Sequence, residues 1–362
     1  MKFLIVYDNI IFSLQKIGGI SIYWAELIKK LQLKKSKIVF YQSKNENIAI
    51  SELDIETTLE SKLSFKILRY LPFLKKIPSK SLFHSSYYRV SLQKDIVNIT
   101  TVYDFTYEYF RKGLAKYVHV KQKAFAIKKS DAIICMSENT KKDLMKFYPQ
   151  IQKSKIKVIY NGVGCEFKKL QNKEEYLNAE FEILKDKNYI LYIGDRRSSY
   201  KNFNIAVEVL KELKEYSFVV AGAQKFNKQE NEIMESIKER VHYFYKIDAK
   251  KLNILYNNAF CLLYPSSYEG FGIPVVEAMK SGCPVVGTNI SSIPEVAGNS
   301  GLLVDDIKTE SFIKEIEKLK NSTFRDELIS KGFKQAEKFN WDNCFSQTYE
   351  FYEEIWRKKF GE

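Results

Sequence analysis

The sequence predicts an α/β protein built of two doubly wound parallel domains, and three observations predict it. Strand-sized apolar runs alternate with helical patterns, the signature of parallel sheets covered on both faces. The alternation runs through once, breaks at a turn and a polar stretch, and then restarts. The length, 362 residues, is about two ordinary domains and too much for one core. Two such domains would face each other across a cleft, with ligands gathering at the carboxyl ends of the strands.

The first series opens with the β-branched and aromatic run KFLIVY (2–7), followed by a Gly-Gly turn at Gly18 and Gly19. Helical periodicity then sets in over ISIYWAELIKKL (20–31). KIVFY (37–41), SLF (81–83), VNITTVY (97–103) and AIIC (132–135) are the next strand candidates. Lys-rich helices lie between them, such as SENTKKDLMKFY (137–148) with Ser137 as its cap. KVIYNGVGCEF (157–167) closes the series at Asn161-Gly162, and a polar stretch follows. The expected division is therefore 1–165 and 166–343.

The second series reads NYILYIG (188–194), a helix over 203–215, SFVVAGA (217–223), a helix near 228–239 and VHYFY (241–245). A helix near 249–258, FCLLYP (260–265), a helix over 274–281 and PVVG (284–287) complete it. The remainder reads as helices, ending in the aromatic-rich stretch 344–360.

Composition excludes several classes. At 45% hydrophobic and 28% charged residues the chain is globular, and no apolar run approaches the ~18–20 residues of a membrane span. No secretory pattern opens the sequence, which predicts a cytoplasmic protein. Cys135, Cys165, Cys261, Cys283 and Cys344 are odd in number and form no C-x-x-C pair, which argues against a disulfide framework or a zinc site. Three histidines exclude most His-based metal centres. Charge is divided unevenly. Residues 1–180 carry 32 Lys and Arg against 17 Asp and Glu, whereas residues 181–362 carry 26 against 27. The first domain is thus expected to face something anionic, unless the lysines only solvate its surface.

The strongest chemical signal is YPSSYEGFGIPVVEAMKSGCPVV (264–286). Glu269 and Glu277 stand eight residues apart, on either side of Gly270-Phe271-Gly272 and Pro274. Pro274 suits the first position of a helix, so Glu269 falls in a loop and Glu277 on the first turn or so of that helix. Loop amides and the helix dipole suit oxyanions and sugar hydroxyls. A carboxylate accepts from two adjacent hydroxyls, which fits Glu277 to a ribose diol and Glu269 to a sugar ring. A second cluster, YIGDRRSSYKNF (192–203), sets Arg196, Arg197 and Lys201 just past a strand, where cations suit a diphosphate.

The 264–286 string resembles the E-x7-E motif of the group-1 (family 4) retaining glycosyltransferases. SSIPEVAG (291–298), VIYNGV (158–163), the text at 130–144 and GGIS (18–21) resemble further signposts of that family, so the likeness spans nearly the whole chain. It implies the GT-B fold: two Rossmann-like domains, the first an acceptor-binding domain (1–165 with the returning helix 344–362), the second a donor-binding domain (166–343). It implies transfer of a hexose from a nucleoside diphosphate sugar, with GDP-mannose the first expectation, to a lipid-linked glycan of surface polysaccharide synthesis. Catalytic roles would fall to Glu269, Lys201, Arg196 and Asp104. The donor would be held by Gly18, Gly19, Arg196 or Arg197, Lys201, Glu269, Gly270, Phe271, Gly272 and Glu277. Because the Arg–Lys loop is one residue longer than in relatives, Arg196 and Arg197 compete for one role.

No D-x-D triplet is present, so cations rather than a metal would neutralise the leaving diphosphate, and no metal or other cofactor is expected. Relatives often carry His-Asp where this chain has Tyr103-Asp104, which removes an imidazole. Tyr87, Arg89, Tyr103 and Asp104 are candidates for an acceptor groove, and loop 245–247 for the base pocket. The basic, apolar segment 61–80 is expected either to rest on anionic lipid or to pack as a helix on the first domain. Two rivals remain at this stage. A sugar-nucleotide epimerase would act on the donor alone, and a nucleic-acid-binding protein would show steep salt dependence without any recognised motif.

Overall fold

The computed structural model describes residues 3–51, 53–177 and 179–361. Lys2 of the first expected strand and Asn178 of the polar linker lie outside the described residues. The chain divides into two compact units, Met1–Gly162 with Trp341–Glu362, and Val163–Asn340.

The first unit holds β1 (Ile5–Asp8), β2 (Ile38–Tyr41), β3 (Thr57–Thr58), β4 (Leu82–Ser85), β5 (Val97–Val102), β6 (Ala132–Cys135) and β7 (Ile156–Val158). All pair in parallel in the order β3-β2-β1-β4-β5-β6-β7. β1, β4, β5 and β6 are buried along their whole length. This is why they read as continuous apolar runs rather than as alternation.

The returning helix, Trp341–Phe360, begins three residues earlier than the sequence suggested. Trp341 explains the start. A β-carbon on Gly162 would lie 2.5 Å from its ring, so glycine is needed there for close approach rather than only for a turn. Further along, the Tyr352 hydroxyl meets the Tyr7 hydroxyl at 2.8 Å and His84 Nδ1 at 2.5 Å, and the Trp356 indole N–H donates to Lys80 O at 2.6 Å.

The second unit holds β8 (Tyr189–Ile193), β9 (Ser217–Gly222), β10 (Val241–Tyr245), β11 (Cys261–Tyr264), β12 (Val285–Thr288) and β13 (Gly301–Val304). Their order is β10-β9-β8-β11-β12-β13, again all parallel. Its core packs strand residues such as Ile190, Val220 and Leu263 against Val207 and Leu210 of the helix Phe203–Glu212 and Phe312 and Ile316 of the helix Thr309–Lys318. In both sheets the order reverses beside the first strand, and an open α/β sheet offers its ligand crevice at that switch point.

Candidate functional site in the second unit

In the second unit the switch point lies between β8 and β11, and both sequence-predicted clusters follow those strands. The loop after β8 runs to Lys201 and the loop after β11 runs to Glu269. The two are tied together by backbone. Ser267 N donates to Tyr200 O at 2.8 Å, and the Asn202 amide donates to Pro265 O at 2.8 Å. Lys201 Nζ and Glu269 Oε1 meet at 2.5 Å, with side chains 13% and 12% exposed, and Tyr264 Oη lies 3.3 Å from the ammonium. A cation and a carboxylate, both mostly buried, are therefore held against each other where the loops after β8 and β11 meet.

The Glu269 loop is clamped from behind by the start of SSIPEVAG. Ser291 Oγ accepts from Glu269 N at 3.1 Å and donates to Glu269 O at 2.8 Å. Ser292 Oγ reaches Glu269 O at 3.0 Å and Phe271 O at 2.9 Å. Phe271 is buried and meets the Phe339 ring edge-on at 5.5 Å, which anchors the loop between its two glycines. Gly272 has φ +98°, a left-handed conformation suited to glycine, and caps the helix Ile273–Lys280. Pro274 falls in the first turn of that helix, one place later than expected.

Glu277 is on the same helix, only partly exposed. Its carboxyl accepts from the Tyr256 hydroxyl at 2.8 Å. Burial pushes it up to about 7, and the Tyr256 hydrogen bond opposes that rise. Sequence reasoning missed Tyr256, Tyr264, Ser291 and Ser292. The serines sat in a quoted motif but showed no chemistry of their own, and nothing in the spacing ties the tyrosines to the glutamates.

The two competing arginines separate. Arg196 is buried, its Nε 2.9 Å from Glu230 Oε1, and its guanidinium lies over the Phe226 and Tyr243 rings at 4.6 and 4.9 Å. A β-carbon on Gly222 would stand 2.7 Å from its Nη1. This weighs against Arg196 as an open phosphate ligand, because its charge is paired with Glu230 and its Nη2 donates to Gln224 O. Arg197 is exposed, with one donor on Lys225 O at 3.2 Å. In the expected base-pocket loop, Tyr245 is exposed, Lys246 has φ +51°, and its amide donates to Gly222 O at 3.0 Å.

The candidates of the first unit have different fates. Gly18 and Gly19 form the N-terminus of the helix Gly19–Leu33, where Ser21 Oγ accepts from Gly18 N at 3.0 Å. The first-turn amides have no intrahelical partner, which leaves an anion-suited end. Arg89 is corrected outright. It is 2% exposed and sits at this unit's switch point, with Nη1 2.8 Å from Asp8 Oδ2 and Nη2 2.7 Å from Glu60 Oε1. It locks strand ends together instead of offering charge to a ligand. Tyr103 is buried edge-on to Tyr23, its hydroxyl donating to Ser86 O at 3.3 Å. Asp104 Oδ1 accepts from Thr106 N, two residues on, at 2.9 Å, as a turn Asp does just ahead of the short helix Thr106–Phe110. Tyr87 is half-buried, its hydroxyl 3.2 Å from Arg69 Nη2. In segment 61–80 only Phe65–Leu68 is helical. With one helical turn it has no long face to pack, and Leu63, Ile67, Tyr70 and Leu74 stand exposed.

The comparisons agree with this architecture. The family described as Glycosyltransferase Family 4 matches residues 17–167, and the one described as Glycosyl transferases group 1 matches residues 173–335. Together they take in most of both units, and the chain belongs to the group 1, family 4 glycosyltransferases. It is 32% identical to an O-antigen chain mannosyltransferase B of Escherichia coli over 45% of each chain. It is 28% identical to another O-antigen chain mannosyltransferase, of Salmonella typhimurium, over 70% of each. The match thus spans less than half the length of the first of these relatives. An Anabaena protein solved in complex with UDP and glucose superposes with a TM-score of 0.73 at 14% identity, over 97% of this chain and 100% of that one. This likeness speaks for the GT-B fold.

Proposed function

We propose that the protein is a retaining hexosyltransferase that moves mannose from GDP-mannose to a hydroxyl of a lipid-linked oligosaccharide in surface polysaccharide synthesis. The observation that carries this reading is the Lys201–Glu269 pair at a switch point, with Glu277 on the helix that follows the same glycine-bounded loop. Lys201 leaves Glu269 for the donor diphosphate and, with Arg197, neutralises charge that grows as the diphosphate departs. Glu269 holds hydroxyls of the sugar ring, and Glu277, oriented by Tyr256, takes the ribose diol. The acceptor hydroxyl attacks on the face the diphosphate leaves, so configuration is retained without a covalent enzyme intermediate. The cations do the work a metal does elsewhere, and activity should survive EDTA. The mannosyltransferase relatives support the sugar, while the Anabaena complex keeps UDP in the nucleotide series to be tested.

Among the described residues no helix is long and apolar enough to cross a membrane. The exposed apolar side chains of segment 61–80, set among lysines, support peripheral attachment to the inner face of the cytoplasmic membrane. The test supplies radiolabelled GDP-mannose and a bacterial lipid extract to the purified protein. Label entering the organic phase, with retention seen by NMR of the product, is the expected result. Conversion of the donor to a free epimer, with nothing in the lipid phase from any nucleotide sugar, would overturn it.

A further inference from the structure

A surface helix usually buries apolar residues and exposes charged ones; the helix Gly113–Lys129 does so at Ala126, Ile127 and Lys128, but departs from the pattern at other positions. It buries Lys123 completely, 2.9 Å from Glu108 Oε2 and 4.5 Å above the Phe105 ring. It presents Leu114 and Tyr117 to solvent at 77% and 62% exposure, and Phe125 beside them. Such local violations of patterning in a folded chain point to a binding surface. The surrounding stretch 109–130 has seven Lys and Arg and no acidic residue, and 61–80 has six and none. Nine of the eighteen large apolar side chains exposed among the described residues lie in these two stretches.

The stretches meet. The Gln122 side-chain amide donates to Arg69 O and to Tyr88 O. A groove of about 520 Å³ in the second unit is lined by a mixture of charged, polar and apolar side chains, Lys169, Arg325, Ile329 and Phe333 among them, whereas the one here, of about 330 Å³, is mainly apolar. Tyr70, Leu71 and Pro72 form one wall of it, and Tyr117, Lys121 and Phe125 the other. Arg89 borders it, but Asp8 and Glu60 already hold that charge. Lys121 Nζ stands 5.4 Å over the Tyr117 ring and has no carboxylate partner among the described residues.

We propose that this groove binds the lipid-phosphate portion of the acceptor, with the apolar chain along the aromatic walls and the phosphate at Lys121. The proposal rests on the reading that the acceptor is lipid-linked. The groove is near the lower end of ligand pockets, about 300–1,000 Å³, which suits a single chain rather than a helix of a partner protein. The basic rim without acids draws the protein to the anionic leaflet that holds such a lipid.

The probe is farnesyl phosphate below its micelle concentration, titrated into the full chain beside farnesol and inorganic phosphate. Farnesyl phosphate should bind saturably, one per chain, and at least about tenfold more weakly to Lys121→Glu and to Tyr117→Ser. Nucleotide binding should be unchanged in both variants, since both positions are exposed and lie in the other unit. Equal affinity for farnesol, or unaltered affinity in both variants, overturns the proposal. Vesicles of phosphatidylglycerol supply a second arm: if they bind and the variants weaken that, while soluble farnesyl phosphate does not bind, the face is a bilayer surface and the groove is not a lipid site. If farnesyl phosphate binds as expected but no sugar reaches any lipid, the groove stands and the transferase reading falls.

Discussion

Glu277 carries a carboxyl whose protonation the fold shifts into the working range. With burial lifting it to about 7, only its ionised form offers acceptors to both hydroxyls of a diol. Donor affinity should therefore rise from about pH 6 to about pH 8, and Glu277→Gln should abolish the slope; a titration series over that range checks it. The linked stability effect has the opposite sign. The folded state retains its proton above the ordinary value of 4.5, so this group's contribution falls as pH rises from there to about 7. Arg89 gives a second residue-scale prediction. Removing one partner of a buried ion pair costs about 3–5 kcal/mol, so Arg89→Met should lower the unfolding midpoint of the first unit sharply. Unchanged stability with lost transfer would restore Arg89 to the acceptor groove. The sequence named Arg89 but not its partners, because Asp8 and Glu60 are far from it along the chain.

At the scale of elements, the loop between β11 and the helix Ile273–Lys280 is the part whose shape matters most. Ser292 holds it through two carbonyls. Ser292→Ala should cost about 1–2 kcal/mol and raise the donor KM several-fold, with little change in acceptor KM. Equal donor KM would mean that the clamp serves packing alone. The strands, the glycine loop and both glutamates were legible in the sequence, since buried parallel strands and a Gly-Phe-Gly turn leave strong local patterns. The two-residue β3 was not, being too short to show a period, and neither was β13, which falls in the remainder that read as helices. The helix Gly113–Lys129 was covered only by the general reading of Lys-rich helices between strands, and its buried Lys123 was hidden because the charge partner stands fifteen residues away. The same cause hid the ion pair with Glu230 that sets Arg196 apart from Arg197.

For the whole molecule, charge divides with the units: a basic first unit with exposed apolar side chains, and a near-neutral second unit with the carboxylate–lysine pair. The first unit also has a buried imidazole. Burial holds His84 down to about 3, where it contacts Tyr352 and Thr101. The unfolded chain takes up that proton from about pH 6.5 downward and the folded one does not, so stability falls as pH drops toward 3, by up to ~1.4 kcal/mol per unit. Acid unfolding followed at the tryptophans, all three of which lie in the first unit, should show that loss, and His84→Gln should flatten it. The central claim, that the second unit is a metal-free sugar-nucleotide site built on Lys201, is tested most directly by calorimetric titration of GDP, UDP, dTDP and CDP with and without EDTA. One nucleotide should bind at about micromolar affinity, about −8 kcal/mol, unaffected by EDTA and at least about tenfold weaker in Lys201→Ala. Binding that vanishes with EDTA, or that Lys201→Ala leaves unchanged, would contradict it.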